Sequence, residues 1–559
     1  MKAKLLRVFI FLFILLGLGL VTKYIVINGD ASESILDTVY NFDEAVFNNS
    51  VPYISSEPTE NLPVVEEVPE KEIIFAPDAS AEIENYNFTY SVISQTLQRE
   101  EAGFDSSEPY SDVEGVTCFR GNNLRDGGSF GNIDLKEEKL EKLWEVNIGA
   151  IDSWTGVGWN GQPAIVKWSE EIKKEMNLYE EKKNKKDLTE VIYAALDGYV
   201  HFLDLEDGKA TRDKLWIGAP IKGSLTVDPR GLPLLYVGQG IDKRGSQHVS
   251  FAYRIFSLID FSKLYEIKGM DDFAVRKWWA FDSTSLIDKS NDFFYICGEN
   301  GLFYSGKLNT NYENGKVTIS PQIDKYKYST NKTKERGIEN SIAIYENYGF
   351  FADNDGILQC LDLRTLKPVW ARYVNDDTDS TIVLERDNEG LNLYTASEVD
   401  NQGNGGYSFV RKINGATGGV LWENKYKCYY DSNTNGGALA TPISGKEELK
   451  ELAIFNIART PNYNSGILVA MNKNTGEEVW KLILDNYCWS SPLALYSKDG
   501  KGYIVQCDSA GRAFLIEGIS GKILDIIDLE ANVEGTPAAF DDIIVVGTRG
   551  GKIIGFKVK

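Results

Sequence analysis

The sequence is poor in the residues that most often carry acid–base or metal chemistry. It contains only 2 histidines among 559 residues, His201 and His248, so histidine-based catalysis and metal binding have few candidates. Its 6 cysteines include no CxxC pair, and none lies beside a histidine, so the spacing of a metal site is missing as well. We therefore predict no metal site and assign no catalytic residue.

A basic surface is also lacking. The formal net charge is -23, which gives the molecule a repulsive field toward phosphate backbones. One lysine-rich stretch, residues 182–186, is offset by the glutamates of residues 170–181 and is interpreted as a solvated helix face. The charge therefore excludes nucleic acid as an expected partner.

A long apolar run occurs close to the N-terminus. Lys2, Lys4 and Arg7 precede the run from Val8 to Val21, which is typical of a charged region followed by a hydrophobic region of an export signal. Tyr24 to Ile27 extends the run toward the length of a membrane span. We predict an uncleaved signal-anchor helix over residues 1–29, and therefore a single-pass protein of the cell membrane with the rest of the chain on the extracytoplasmic side. Whether this segment is cleaved stays open.

Residues 30–112 differ in composition from the chain that follows. Prolines alternate with glutamates, and such a stretch buries too little apolar surface to fold by itself. Proline stiffness and like-charge repulsion favour an extended spacer. We predict an acidic, mostly disordered stalk over residues 30–112, with a short helix within Ala79 to Ala102. The prolines that alternate with glutamates are Pro52, Pro58, Pro63, Pro69 and Pro77.

A repeating unit begins near Val113. Each unit opens with a small or polar residue before an apolar strand and passes through an Asx-Gly turn such as Asp355-Gly356, which favours a hairpin. The units recur about every 40 to 60 residues, the length of a four-stranded blade. The first strands begin near Pro163, Ser224, Thr284, Ser341, Thr381, Thr441, Ser491 and Thr536.

The two ends of the repeating region complete each other. The last unit, Gly535 to Val558, supplies only three strands, and the missing fourth strand is found at Leu143 to Ile148. Pairing these segments closes the array and removes unpaired edges. We therefore predict an all-β fold, an eight-bladed β-propeller of four-stranded blades over residues 113–559.

Tryptophan recurs near the end of the units. An indole repeated at one structural position is typical of packing between blades rather than of ligand binding. The predicted structural tryptophans are Trp144, Trp216, Trp370, Trp422 and Trp480.

The repeats resemble the PQQ-like family, the propellers of quinoprotein dehydrogenases and of BamB-type outer-membrane assembly scaffolds. The resemblance rests on an A-x-D-x-x-T-G-x-x-x-W pattern, best matched at Ile413 to Trp422 and Met471 to Trp480, and covers about residues 113–559. Phe119-Arg120-Gly121-Asn122 is similar to a lead-in found in some members. The pattern specifies the fold and leaves the activity open.

The resemblance implies two different functions. Quinoprotein dehydrogenases bind pyrroloquinoline quinone (PQQ) above a tryptophan floor, hold calcium with acidic and amide ligands, and typically carry a ring of two adjacent cysteines. This sequence has no adjacent cysteines, and no aspartate stands out as catalytic. We therefore expect a binding protein without a cofactor, and PQQ and calcium only under the alternative of a dehydrogenase.

Connecting loops around the predicted channel carry many aromatic residues. Loops over a rigid scaffold are common places for binding residues, and aromatic rings beside amides and acids suit peptides or glycans. These residues could instead plug the channel. The candidate ligand-binding residues are Trp154, Trp159, Trp278, Trp279, Arg336, Glu339, Tyr429, Tyr430, Asn435, Tyr487 and Trp489.

Three functions are compatible with these features. The first is a non-catalytic, monomeric binding or scaffold protein for an envelope protein, peptide or glycan. The second is a ligand-binding sensor ectodomain, which is weakened because few residues precede Val8 and could face the cytoplasm. The third is a PQQ-dependent dehydrogenase. The sequence identifies neither the ligand nor the pathway, and it does not show whether cysteines pair.

Overall fold

The computed structural model describes residues 75–78, 86–96, 99–104, 108–158, 161–334, 336–430 and 434–559, all within one compact unit of residues 73–559. The predicted anchor, residues 1–29, and most of the predicted stalk lie outside these described residues. Among the helices that the structure does describe, none is both long and apolar enough to cross a bilayer.

The described chain consists mainly of antiparallel sheets that follow one another as blades of a ring. Each blade begins at one of the first strands expected from the repeat, so the predicted eight-bladed propeller is confirmed. From the inner to the outer strand, blade 1 consists of Ala164–Lys167, Thr189–Ala194, Tyr199–Asp204 and Leu215–Trp216, and blade 2 of Thr226–Val227, Leu234–Val237, Ala252–Ser257 and Lys263–Lys268. Blade 3 consists of Leu286–Asp288, Phe293–Cys297, Phe303–Lys307 and Gln322–Ser329, and blade 4 of Ala343–Tyr345, Tyr348–Ala352, Ile357–Asp362 and Lys367–Tyr373.

The second half of the ring follows the same plan. Blade 5 consists of Val383–Asp387, Gly390–Ala396, Tyr407–Asn414 and Val420–Lys427, and blade 6 of Ile443–Ser444, Leu452–Ala458, Gly466–Asn472 and Glu478–Leu484. Blade 7 consists of Leu493–Tyr496, Gly502–Cys507, Arg512–Glu517 and Ile523–Asp528, and blade 8 of Ala538–Phe540, Ile543–Thr548, Lys552–Val558 and Leu140–Asn147.

Blade 8 combines strands from the two ends of the propeller sequence. Its outer strand, Leu140–Asn147, precedes blade 1 and pairs antiparallel with Lys552–Val558. The register runs from Leu140 opposite Val558 to Asn147 opposite Lys552. The ring closure predicted from the sequence is therefore confirmed.

Short helices and hairpins lie in the loops between the blade strands. Two helices, Glu170–Glu175 and Glu180–Lys183, lie in the insertion between the first two strands of blade 1. Met176 and Leu178 beside them are buried against blades 1 and 2, so the insertion covers the ring. Three small hairpins are Ala150–Ile151 with Trp154–Thr155, Lys243–Arg244 with Gln247–His248, and Asn311–Glu313 with Lys316–Thr318.

Strand direction alternates within each blade, so the connections fall on two faces of the ring. Loops from an outer strand to the next inner strand share one face with the turns that join second and third strands. We call this the mouth face. The mouth therefore includes a second set of turns besides the loops considered in the sequence analysis.

Hydrogen bonds between side chain and backbone connect the inner strands around the channel. The Gln162 N–H donates to Ser224 Oγ at 2.8 Å, and the Thr284 N–H donates to Ser341 Oγ at 2.8 Å. The same contact continues through blades 4 to 7. We call this set the hydroxyl ring; it comprises Gln162, Ser224, Thr284, Ser341, Thr381, Thr441 and Ser491.

Residues 115–130, here called the hub segment, fill the channel beyond the hydroxyl ring on the side away from the mouth. Gly115–Val116 pairs with the inner strand of blade 1, and Ser129–Phe130 pairs with that of blade 8. The buried guanidinium of Arg120 donates to the carbonyls of Pro442 and Pro492, and that of Arg125 to those of Thr284 and Ile342, at 2.7 to 3.0 Å. The hub segment therefore gives the mouth a closed floor.

Part of the predicted stalk belongs to the folded body. Thr89–Ile93 is a strand, in place of the helix expected within Ala79 to Ala102, and it pairs antiparallel with the outer strand of blade 3. Nearby, Arg99 forms an ion pair with the buried Asp324. Phe75 and Phe104 are also buried in the ring. Composition did not predict these contacts, because proline and glutamate dominate the average over residues 30–112.

Four of the five repeated tryptophans dock on the neighbouring blade. The Trp370 Nε1–H donates to the Gly415 carbonyl at 2.9 Å, and its ring covers Gly418, where a Cβ atom would lie 2.8 Å from the indole. Trp144, Trp422 and Trp480 repeat this contact on Gly208, Gly476 and Gly521. Trp216 differs: it packs on Tyr199 of its own blade at 4.7 Å and is 39% exposed.

The docking contact predicts unequal costs for two tryptophan substitutions. Trp370→Ala should destabilise the propeller by about 3–5 kcal/mol, because it removes a fully buried indole and its hydrogen bond. Trp216→Ala should cost less than about 1 kcal/mol at its exposed position. Urea unfolding followed by circular dichroism measures both. Equal losses would contradict the docking role.

Candidate functional site

Two repeated loop positions place polar side chains at the mouth. The first position lies two residues before the hydroxyl ring and holds Lys222, Asp282, Glu339 and Asp379 in blades 2 to 5. The second lies two residues after the second strand and holds Glu299, Asn354 and Glu398 in blades 3 to 5. Because equivalent positions of successive blades face the same axis, these side chains converge. With Arg276, Asp377 and Asn435 they form what we call the acidic chamber.

The first group of carboxyls in the chamber surrounds a lysine. One carboxyl oxygen from each of Asp282, Glu299 and Glu339 lies within 4.8 Å of the others. The ammonium of Lys222 forms an ion pair with Asp282, and Arg276 Nη1 lies 3.8 Å from both Glu299 Oε2 and Glu339 Oε1. Despite burial, these carboxylates raise the pKa of Lys222. We call Asp282, Glu299 and Glu339 the first triad.

The carboxyl oxygens of the second group have the same spacing as those of the first. Oxygens of Asp377, Asp379 and Glu398, the second triad, also lie within 4.8 Å of one another. Amide groups approach it: Asn435 Nδ2 donates to Glu398 Oε2 at 2.9 Å, and Asn354 Nδ2 donates to Asp377 Oδ2 at 3.1 Å. Among the described residues, no lysine or arginine forms an ion pair with this triad.

Burial shifts the titration of these groups. Desolvation raises the pKa of Asp377, Asp379 and Glu398 well above their ordinary values, and the neighbouring carboxyls raise it further. Desolvation also raises the pKa of Glu299. Glu339 differs because the charges of Lys222 and Arg276, together with hydrogen bonding to its carboxyl, outweigh desolvation and lower its pKa. The second triad therefore binds protons more tightly than free carboxyls do.

An aromatic group lies on the same face, on loops of blades 6 and 7. The rings of Tyr429 and Tyr463 lie 6.4 Å apart, and those of Tyr487 and Trp489 lie 5.7 Å apart. The guanidinium of Arg459 connects the pairs, at 4.1 Å from the Tyr463 ring and 5.3 Å from the Tyr487 ring. Tyr429 and Tyr463 are 42% and 44% exposed. We call these five residues the aromatic platform.

The structure brings together some of the candidate residues and leaves others apart. Glu339 and Asn435 lie in the acidic chamber, and Tyr429, Tyr487 and Trp489 lie in the aromatic platform. Trp159 is outside the described residues. The others make their contacts elsewhere on the mouth face: Trp154 lies in a small hairpin, Trp278 packs edge-on against Phe251, Trp279 is half-buried beside Gly269, Arg336 contacts the Tyr328 carbonyl, and Tyr430 contacts Asn404.

Sequence reasoning missed most of the chamber. Five of the loops before the inner strands were identified, without those that hold Lys222, Asp377 and Asp379, and only aromatic and a few polar residues in them were selected. The register itself contains a usable signal, because an acid occurs two residues before the hydroxyl ring in three consecutive blades. Glu299 and Glu398 were missed because candidate residues were selected only from the connecting loops and not from the turns after the second strands. The missed residues are Lys222, Arg276, Asp282, Glu299, Asn354, Asp377, Asp379, Glu398, Arg459 and Tyr463.

The raised pKa values predict a pH-dependent stability. Since Asp379 and Glu398 have a higher pKa in the folded chain, the stability that they contribute is present below about pH 4 and is lost as the pH rises through the folded pKa. Asp379→Asn and Glu398→Gln should each raise the melting temperature at pH 8 by about 2 °C or more. The facing charges of Glu339, Asp400 and Lys222 are unchanged in both variants.

Thermal unfolding between pH 5 and pH 8 measures this effect. The advantage of the two variants over the wild type should grow with pH. Glu477→Gln, which removes an exposed carboxyl far from the chamber, is the matched control and should show no such trend. A constant difference across the pH range would contradict the titration of the triad.

Comparison with known proteins bears on the fold. No family model matches the chain, and no curated protein matches its sequence. A solved quinohemoprotein alcohol dehydrogenase from Pseudomonas putida HK5 is similar over 81% of both chains, with 11% identity and a TM-score of 0.54. BamB from Moraxella catarrhalis aligns over 75% of this chain and 100% of its own, with 15% identity and a TM-score of 0.48.

A europium-containing methanol dehydrogenase aligns over 80% of this chain and 98% of its own, with 10% identity and a TM-score of 0.39. At these identities the similarity concerns the fold and not the activity. The chain therefore has a β-propeller fold similar to that of the solved quinohemoprotein alcohol dehydrogenase.

Proposed function

We propose that this protein is a non-catalytic binding and scaffold protein that docks a segment of a protein partner on its mouth face. The observation that carries the proposal is the aromatic platform beside the acidic chamber. Tyr429 and Tyr463 are exposed on loops of the ring, and aromatic side chains with an arginine are enriched in protein interfaces.

The platform supplies contact area at a low conformational cost. The side chain of Arg459 is buried between the rings of Tyr463 and Tyr487, which holds both tyrosines in place. The main chain contributes as well, because the Tyr429 N–H donates to the Arg459 carbonyl at 2.9 Å. A platform ordered before binding loses little side-chain entropy when a partner docks.

The charge of the chamber favours a protein segment over a glycan. The two triads contain six carboxyls, and Lys222 and Arg276 supply two cationic groups. Such a centre attracts basic peptide segments and repels anionic saccharides. A neutral glycan has no charged group that could pair with the carboxyls of the chamber. We therefore commit to a basic or amine-bearing polypeptide.

The same charge argues against the alternative of a PQQ-dependent dehydrogenase. Acidic and amide side chains such as Glu398, Asp379 and Asn435 would suit calcium. PQQ itself carries three carboxylates, however, and the chamber offers it two cationic groups among six carboxyls. The residues at the mouth therefore do not fit this cofactor, and we derive no redox step.

The location in the cell follows the sequence pattern. Because the charged and apolar N-terminal run is typical of a signal anchor, we propose that the propeller is held at the extracytoplasmic side of the cell membrane, as a monomer. The partner would then be an envelope protein.

Site-specific crosslinking tests the proposal in intact cells. A photo-crosslinking amino acid at Tyr429 should yield a discrete adduct that is sensitive to protease. The matched control is Tyr90, which has the same exposure of 42% but lies on the strand added to blade 3. It should not yield this adduct. Tyr463→Ala should lower the yield from Tyr429 at least about tenfold, because it removes half of the exposed platform.

Other outcomes would count against the proposal. Identical adducts from Tyr429 and Tyr90, or none from Tyr429, would show that the platform is not a docking surface. An adduct that resists protease and is degraded by glycosidases would assign the site to a glycan.

A further inference from the structure

The two triads of the acidic chamber are built from equivalent positions. Asp282 and Asp379 both lie two residues before the hydroxyl ring, and Glu299 and Glu398 both lie two residues after a second strand. Each triad thus combines one loop aspartate with one turn glutamate of the same blade. The third member is a nearby loop acid, Glu339 in one triad and Asp377 in the other.

The first triad shows which ligand this arrangement holds. Lys222 reaches it from the loop of blade 2, and its ammonium forms an ion pair with Asp282, while the charges of Glu299 and Glu339 also raise its pKa. An ammonium is compact and has three donors, so it can serve several carboxyl oxygens at once. The chain itself therefore supplies a cation to the first triad.

In the described part of the chain, no lysine or arginine forms an ion pair with the second triad. The carboxyls of Asp379 and Glu398 lie within 4.8 Å of each other, and each shifts the pKa of the other. Apart from that interaction, Asp377 Oδ1, Asp379 Oδ1 and Glu398 Oε1 are buried and have no hydrogen-bond partner among the described residues. All three side chains are more than nine-tenths buried. Buried carboxyl oxygens without a partner are costly in a folded protein, so they point to a ligand.

We propose that the second triad binds a primary ammonium group of the docked partner, as the first triad holds Lys222. The ammonium comes from a lysine side chain or from a free N-terminus. This inference rests on the proposed function and deepens it, because it names the group that enters the chamber while the rest of the segment lies on the aromatic platform.

The surroundings of the triad support an ammonium. The amides of Asn435 and Asn354 each occupy one carboxyl oxygen and leave the others directed at the same space. The chamber also reaches solvent, since the side chains of Lys222 and Arg276 are 16% and 21% exposed. A slender alkyl ammonium can pass such an opening more easily than a planar guanidinium.

Small amines test the inference without knowledge of the partner. The full-length protein in detergent is titrated at pH 8 by calorimetry with n-butylammonium, Nα-acetyl-lysinamide and N-terminally free alaninamide. We expect n-butylammonium to bind. The two amino-acid probes separate the sources, because the first offers only a side-chain ammonium and the second only an α-ammonium.

Matched variants locate the binding. Asp379→Asn and Glu398→Gln should weaken n-butylammonium binding at least tenfold, whereas Glu477→Gln should leave it unchanged. Both chamber variants are expected to fold, since they remove buried charge, and a thermal melt verifies this. Lys222→Met is a second test: it frees the first triad and should add a second equivalent of bound n-butylammonium.

Three results would overturn the inference. Binding that survives both chamber substitutions would place the amine elsewhere. Binding of calcium that displaces n-butylammonium at equal concentration would make the triad a metal site. No binding of any cation would show that the carboxyls are held closed and protonated. The proposed function is judged separately, because crosslinking from Tyr429 in the Glu398→Gln variant would persist if only the ammonium assignment fails.

Discussion

Closure of the ring is the constraint on which the other features depend. A sheet edge left open exposes unpaired N–H and C=O groups, and the strand Leu140–Asn147 removes that edge by pairing with Lys552–Val558. Closure fixes eight inner strands at a common distance from one axis. The hydroxyl ring and the arginines of the hub segment can then bridge neighbouring strands, because each finds its acceptor at the equivalent position of another blade.

The same regularity explains how a chamber arises from residues far apart in sequence. An acid placed at one register position in consecutive blades is repeated around the axis at the same height. Asp282 and Asp379 are separated by almost a hundred residues in the chain, and both face the mouth. The hub segment closes the floor, and the chamber lies on the mouth face, as the aromatic platform does.

The packing between blades is equally regular, and the exceptions are informative. Where the next blade offers a glycine turn, as at Gly418, an indole docks on it and donates a hydrogen bond to the turn. Blade 2 has Phe261 in its corresponding turn, stacked on Phe202 of blade 1, and Trp216 is displaced to the surface. A tryptophan at the repeated position therefore docks on the next blade only if that blade also has a glycine in the corresponding turn.

The sequence by itself determined the fold, the blade count, the first strands and the closing strand, because period, turn residues and hydrophobic alternation are local signals. It also indicated the loops of the mouth and, within them, Glu339, Asn435, Tyr429, Tyr487 and Trp489. Tertiary structure alone decided which loop acids meet, since Asp377, Asp379 and Glu398 become a buried triad only when the ring fixes their distances. It also decided that Lys222 forms an ion pair with an acid of the first triad, because that depends on the direction of one side chain.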